Sequence, residues 1–139
     1  MQIHGSCVAR AGAGVLLFGP SGAGKSDLAL RMIALGFSLV ADDRVDIEDL
    51  VARAPAALQG MLEVRGLGIV RLPFVTSVRL AVAVELGAEP RLPEPARHAV
   101  LDLPLITLDG RSPSAAQRAE LALDCALGRI GQVAGAFAT

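Results

Sequence analysis

The segment from Gly19 to Ser26 reads GPSGAGKS and meets the spacing Gly-x-x-x-x-Gly-Lys-Ser in full. Glycines at these places let the backbone turn so that successive N–H groups point inward at phosphate oxygens. A helix opening at Lys25 adds its positive N-terminal end. In such a loop Gly19, Pro20, Ser21, Gly22, Ala23 and Gly24 cradle the phosphates of a nucleotide. Lys25 reaches the outer phosphates as a point charge, and the Ser26 hydroxyl is offered to Mg²⁺. The plainer alternative is a flexible glycine turn between a strand and a helix. Lys25 is also the only lysine in the chain.

Asp42 and Asp43 directly follow an apolar run. Carboxylates at the C-terminal end of a strand face the region where ligands bind in open α/β sheets. One can hold the metal or its water while the other accepts a proton from an attacking hydroxyl. An ordinary polar turn is the competing reading. If strand geometry persists through the pair, the two side chains point opposite ways. Further on, LEVRGLGIV sets Glu63 and Arg65 around Gly66 and Gly68. These are either a second metal ligand and a charge stabiliser, or a surface ion pair beside a β-bulge. A lone histidine such as His4 is more often structural than catalytic. His98 reads as a solvated loop residue, and Cys7 and Cys125 as small buried thiols. Arg91 sits in a proline-rich loop from which a guanidinium can reach a transferring phosphoryl group, although nothing local marks it over the other arginines.

The elements that must position these groups follow from pattern. Val15 to Phe18 is a short buried strand ending at glycine. Lys25 to Leu35 is a helix with Leu28, Met32 and Leu35 on one face, terminated by Gly36. Phe37 to Ala41 is a second strand, so the unit is strand, loop, helix, strand. Glu48 to Gly60 is Ala-rich and reads as mixed helix and loop. Met61 to Arg71 is an apolar pattern broken by two glycines. Val78 to Leu86 and Leu103 to Leu108 are strands, and Gly87 to Arg97, with three prolines, is loop. Ser112 caps a helix that has Pro113 at its first position and runs to about Gly128. The tail from Gly131 to Thr139 is expected to fray.

Composition narrows the function. The 139 residues suit one domain, and a hydrophobic fraction of 53% argues against disorder. The net charge is −1, with no basic stripe, so nucleic acid is not an expected partner. There is no Trp or Tyr and only four Phe, which removes a base-stacking platform. Two isolated cysteines without a CxxC pattern argue against zinc and for a reduced, cytoplasmic chain. No signal peptide and no membrane-spanning run is expected.

Taken in order, HG at residues 4–5, GPSGAGKSD from Gly19, LVADDRVDI from Leu39 and LEVRGLGIV from Leu62 resemble the bacterial HPr kinase/phosphorylase family, specifically its catalytic domain. The resemblance covers residues 2 to 86 and fades beyond. It implies an α/β fold: one P-loop phosphotransferase domain over residues 1–139, with a mixed, mostly buried sheet flanked by helices. With HG so near the start, a short member lacking the family's N-terminal regulatory domain is expected.

The same resemblance implies ATP and Mg²⁺ as cofactors and an HPr-like phosphocarrier protein as partner. A serine of HPr would be phosphorylated, and the phosphate removed again by inorganic phosphate with release of pyrophosphate. A homo-oligomer is implied as well, hexameric in the family. Matched by motif, His4 is the active-site histidine, Lys25 the loop lysine and Ser26 the Mg²⁺-binding hydroxyl. Asp43 is the base of the forward reaction and acid of the reverse, Glu63 a second Mg²⁺ ligand, and Arg91 the best match for a later catalytic arginine. The family's PVRPGRN-like loop, associated with dephosphorylation, is replaced by LDGRSPSAAQR, where Arg111 and Pro113 only echo it. A small-molecule kinase or plain NTPase, and a nucleotide-sensing regulatory module, are the alternatives on the same loop.

Overall fold

A computed structural model describes residues 1–138; Thr139, the last residue of the tail expected to fray, lies outside the described residues. The sequence pattern marks no element over residues 2–10, yet the chain there forms the nine-residue strand β1 (Gln2–Arg10). Its buried stretch is Gly5, Ser6, Cys7, Val8 and Ala9, small residues enclosed on both faces. Such a strand shows no apolar–polar alternation, which is why pattern reading passes over it. A two-residue turn, Ala11–Gly12, with φ of 50° and 79°, leads into β2 (Ala13–Phe18). Positive φ at both central residues matches the twist of the flanking strands.

The phosphate loop follows, then α1 (Lys25–Ala34), ended by Gly36 at φ 103°, whose N–H donates to the Ile33 carbonyl. Next come β3 (Ser38–Ala41), β4 (Arg44–Glu48) and β5 (Val51–Arg53). The first half of the stretch expected to mix helix and loop is thus a hairpin, and the rest is loop with a short 3₁₀ helix at Ala56–Leu58. The hairpin's tight turn is Asp49–Leu50, with φ of 51° and 64°. Without glycine there, the sequence carries no hairpin signal. A separate hairpin pairs β6 (Met61–Val64) with β7 (Gly68–Arg71). The strands β8 (Val78–Leu86) and β9 (Leu105–Leu108) precede α2 (Ala115–Ala126).

The main sheet is mixed. β8 runs parallel to β2 and β9, while β1 is antiparallel to β2, β3 and β4. β5 bridges β4 to β8, and β8 returns to β2, so β1, β4, β5, β8 and β2 close into a ring. Closure leaves only β3 and β9 outside the ring as edge strands of the sheet and divides the core in two. Cys7, Leu16, Val45, Ile47, Ala52 and Leu80 make one cluster. Val8, Val15, Leu17, Val82 and Val84 belong to the other and meet Leu28, Met32 and Leu123 of the two helices. Both helices therefore flank the same side of the sheet.

Two helix and tail expectations change. α2 begins at Ala115 after Ser114, not after Ser112, and among the described residues no side chain caps it. Arg31 of α1 donates to the carbonyls of Gly110 and Ser112, which holds residues 110–112 in turns against α1 and delays the helix. The tail does not fray throughout. Ala136 is buried and Phe137 packs on the helix-side core, its N–H donating to Gln132 Oε1 at 2.7 Å.

Candidate active site

The loop between β2 and α1 takes the shape its glycines allow. Gly19, Gly22 and Gly24 have φ of 149°, 80° and 98°. A Cβ on Gly19 would lie 2.9 Å from the Leu86 carbonyl oxygen of β8, so only glycine brings the loop this close to the strand. Gly24 stands at the helix N-cap and accepts from the Leu28 N–H. Lys25 is nearly buried, and its ammonium donates to the carbonyls of Gly19 and Pro20 at 2.9 and 3.1 Å. The loop therefore surrounds the only lysine in the chain.

Asp42 directly follows β3 in a buried position, 5% exposed. Its Oδ1 accepts from the hydroxyls of Ser26 and Ser6, both at 2.7 Å, and its Oδ2 accepts from the Glu63 N–H at 3.1 Å. One carboxylate thus joins α1, β1 and β6. Asp43 turns outward instead, with 58% of its side chain exposed. The two carboxylates diverge as strand alternation suggests, but the immediate cause is different: Asp43 has φ of 70°, which breaks the strand. Gly5 holds this turn by donating its N–H to the Asp43 carbonyl at 3.1 Å. A Cβ on Gly5 would sit 2.5 Å from the Leu17 carbonyl oxygen, so the HG dipeptide needs glycine for packing of β1 on β2. Its histidine is placed by the same strand: His4 Nε2 lies 3.0 Å from Asp43 Oδ1. A carboxylate only accepts, so this pairing puts the imidazole proton on Nε2. Arg44 approaches the other Asp43 oxygen at 3.8 Å.

These groups border one cleft of about 640 Å³, lined by the phosphate loop, Lys25, Ser26, His4, Asp43, Glu63, Arg65 and Arg111. The β6–β7 hairpin forms one wall, anchored by the buried Leu62. Gly66, with φ of 82°, lies in its turn, which is a hairpin and not the bulge of the alternative reading. Among the described residues no ion pair joins Glu63 to Arg65. The donors that line it, the Ser26 hydroxyl and the Glu63 carboxylate, are oxygens, and the buried Asp42 carboxylate stands behind Ser26. This set suits a hard cation such as Mg²⁺, which binds few protein groups and shares itself with phosphate and water.

Arg91 is not among the cleft-lining residues. It is exposed in the loop after β8. That loop is tied instead to α2 through Glu89, whose carboxyl is held below the usual carboxylate range by the Arg118 guanidinium hydrogen-bonded to it. Two arginines do line the cleft: Arg65 of the β6–β7 turn and Arg111, whose Nη2 lies 3.4 Å from the Gly22 carbonyl oxygen. Its loop is drawn in by Arg31 and by Gly110, where a Cβ would meet the Ala23 carbonyl oxygen at 2.8 Å. The only sequence signal for it is the glycine before an arginine in LDGRSP. His98, read as a solvated loop residue, is half-buried: Nδ1 accepts from the N–H groups of Val100 and Leu101, and the ring packs edge-on against Phe18. Burial pushes both thiols up in pKa, Cys7 most of all, and neither lines the cleft.

Residues 1–81 match the family described as the HPr serine kinase C-terminal domain. The chain belongs to the HPr serine kinase C-terminal domain family. The part matching the HPr kinase family carries His4, the loop, both aspartates and Glu63, while Arg91 and Arg111 lie beyond it. An HPr kinase/phosphorylase of Clostridium acetobutylicum is 50% identical over 76 residues, covering 52% of this chain and 25% of that protein. One of Lactiplantibacillus plantarum is 48% identical over 74 residues, 50% of this chain and 24% of that protein. The matched stretch thus spans a quarter or less of these relatives' length. A solved structure of the Hpr(Ser) kinase/phosphatase from Coxiella burnetii superposes with a TM-score of 0.77 at 22% identity, covering 94% of this chain and 99% of that one. The HPr kinase-type fold is therefore shared over 94% of this chain, including the part where sequence similarity fades. No helix among the described residues is long and apolar enough to cross a membrane.

Proposed function

We propose that this domain transfers the γ-phosphoryl group of ATP to a serine of an HPr-like phosphocarrier protein. The observation that carries the reading is the His4–Asp43 pair on the rim of the same cleft as the phosphate loop. A serine hydroxyl is a weak nucleophile at neutral pH, and a carboxylate beside it takes the proton as the new bond forms. In that step the serine oxygen bonds to phosphorus, the bond from phosphorus to the bridging oxygen breaks, and the proton passes to Asp43. His4 orients the Asp43 carboxylate through Nε2–H. Lys25 leaves the loop carbonyls for the outer phosphates, and the Arg111 guanidinium meets charge developing on the transferred group. Ser26 and Glu63 would hold Mg²⁺, which when bound supplies positive charge to the phosphate oxygens. Asp42 is better suited to ordering Ser26 than to accepting the serine proton, because its oxygens already accept three hydrogen bonds.

The openness of the site supports a protein acceptor: both members of the His4–Asp43 pair are more than half exposed. By microscopic reversibility a protonated Asp43 serves as the acid when inorganic phosphate attacks phosphoserine. The family's dephosphorylation-associated loop is altered here, so this direction should be the slower. A cytoplasmic, homo-oligomeric enzyme completes the proposal. The test is the appearance of radiolabelled phosphate on purified HPr, with release of pyrophosphate from phospho-HPr measured on the same preparation. Absence of labelled HPr despite tight nucleotide binding would favour a small-molecule kinase or a nucleotide sensor. Equal rates in both directions would overturn the role given to the altered loop.

A further inference from the structure

We infer that Ser6 is a positioning residue for the metal side of the nucleotide site, acting through Asp42 on the hydroxyl of Ser26. The inference rests on the reading just given. Ser6 lies in β1, is 1% exposed and does not line the cleft, so it cannot touch a ligand. Its hydroxyl donates to Asp42 Oδ1 at 2.7 Å, the same oxygen that Ser26 reaches at 2.7 Å. A hydroxyl has one proton and two lone pairs. While Ser26 spends its proton on Asp42, both lone pairs stay available to a cation. That arrangement holds only while Oδ1 stays where the Ser26 hydroxyl is aimed.

A carboxylate turns about a broad, roughly two-fold torsion, so Asp42 needs external donors to fix its plane. Ser6 supplies one at Oδ1 and the Glu63 N–H supplies the other at Oδ2. Ser6 is also placed by the strand that serves Asp43. His4 and Ser6 stand two residues apart, on one side of β1, and reach Asp43 and Asp42 in turn. The Gly5 N–H between them holds the Asp43 carbonyl. β1 therefore braces both aspartates from one direction, each through its own donor.

The test uses the full chain and a fluorescent ADP analogue, titrated with Mg²⁺ and separately in excess chelator. Ser6→Ala should raise the Mg²⁺ needed for half-maximal binding by about 10-fold, the low end of effects seen on removing outer-sphere partners. Metal-free nucleotide binding should stay at the wild-type level, because the loop and Lys25 do not depend on Ser6. Ser6→Thr keeps the donor and should restore the Mg²⁺ response. Should threonine not fit the sealed site, Ser6→Cys, a weak donor of similar shape, should fall between wild type and alanine. An unchanged Mg²⁺ response in Ser6→Ala overturns the inference. So does a loss that is equal with and without metal, or a threonine variant that folds but fails to restore. A wild-type chain whose nucleotide binding ignores Mg²⁺ would remove the phosphotransfer reading and this inference together. A Mg²⁺-dependent wild type that Ser6→Ala merely copies removes this inference alone.

Discussion

Replacing Asp42 by asparagine should damage stability, while the same change at its neighbour Asp43 should damage transfer. Asp42 is 5% exposed and accepts three hydrogen bonds. In Asp42→Asn the amide group must face either the Glu63 N–H or the two serine hydroxyls. The first choice sets donor against donor. The second turns Ser6 and Ser26 into acceptors and commits a lone pair of Ser26, which weakens its use toward Mg²⁺. Charge-assisted bonds become neutral ones, a loss of about 1 kcal/mol each, so about 2–3 kcal/mol is expected in total. For a domain of this size that lowers the melting temperature by about 10 °C. Asp43 has a side chain 58% exposed, pairing with His4 and more distantly with Arg44. Asparagine tolerates its positive φ and can still accept from His4. Exposed pairs contribute about 0–1 kcal/mol, so the melting temperature should fall by no more than about 4 °C. Transfer to HPr should nevertheless drop by about 10²–10⁴-fold with nucleotide binding kept, the size of a general-base effect. Thermal denaturation by circular dichroism and labelled-phosphate transfer, run on both variants, give the comparison. Equal melting losses, or an Asp42→Asn that abolishes transfer while Asp43→Asn retains it, would refute the division of labour.

Lys25→Ala should abolish nucleotide binding and transfer while the chain still folds, since its ammonium contacts only loop carbonyls; wild-type turnover in a folded variant would reject the phosphate-loop assignment. Arg111→Ala should lower transfer by at least about 10-fold, in line with the contribution of arginines that reach a transferring phosphoryl group, whereas Arg91→Ala should leave it near wild type; the opposite order in a transfer assay would return the role to Arg91. Cys7 should resist alkylation of the native chain, because burial raises its pKa and the thiolate is the reactive form. By linkage, that raised pKa leaves stability untouched below the pKa of a free thiol, about 8.5, and erodes it as pH climbs above. Labelling of Cys7 at the rate of a free thiol, with the fold intact, would contradict its burial.

The phosphate loop was legible in the sequence because its demands are local. Glycines at fixed places, a lysine and a serine build the cradle from eight consecutive residues, and β2, α1, β3 and β8 lie close to where pattern puts them. The family, too, was readable from four short motifs in order. β1 was not legible, because a strand enclosed on both faces and made of small residues has no alternation to read. The hairpin turn at Asp49–Leu50 was hidden for a related reason: it adopts positive φ without the glycine that usually announces it. Ring closure by pairing of β2 with β8 joins segments some 65 residues apart, and no local pattern encodes such a contact. The same is true of the site's finer assignments. Adjacent aspartates look alike in sequence, yet donors from β1, α1 and β6 converge on Asp42 alone, while a positive φ turns Asp43 out to His4. The preference for Arg111 over Arg91 at the cleft comes from Arg31, which pulls one loop onto α1, and from Glu89, which ties the other to α2. Local chemistry therefore set the cradle and its ligand class, and long-range packing decided which of the two adjacent aspartates, and which of Arg91 and Arg111, faces it.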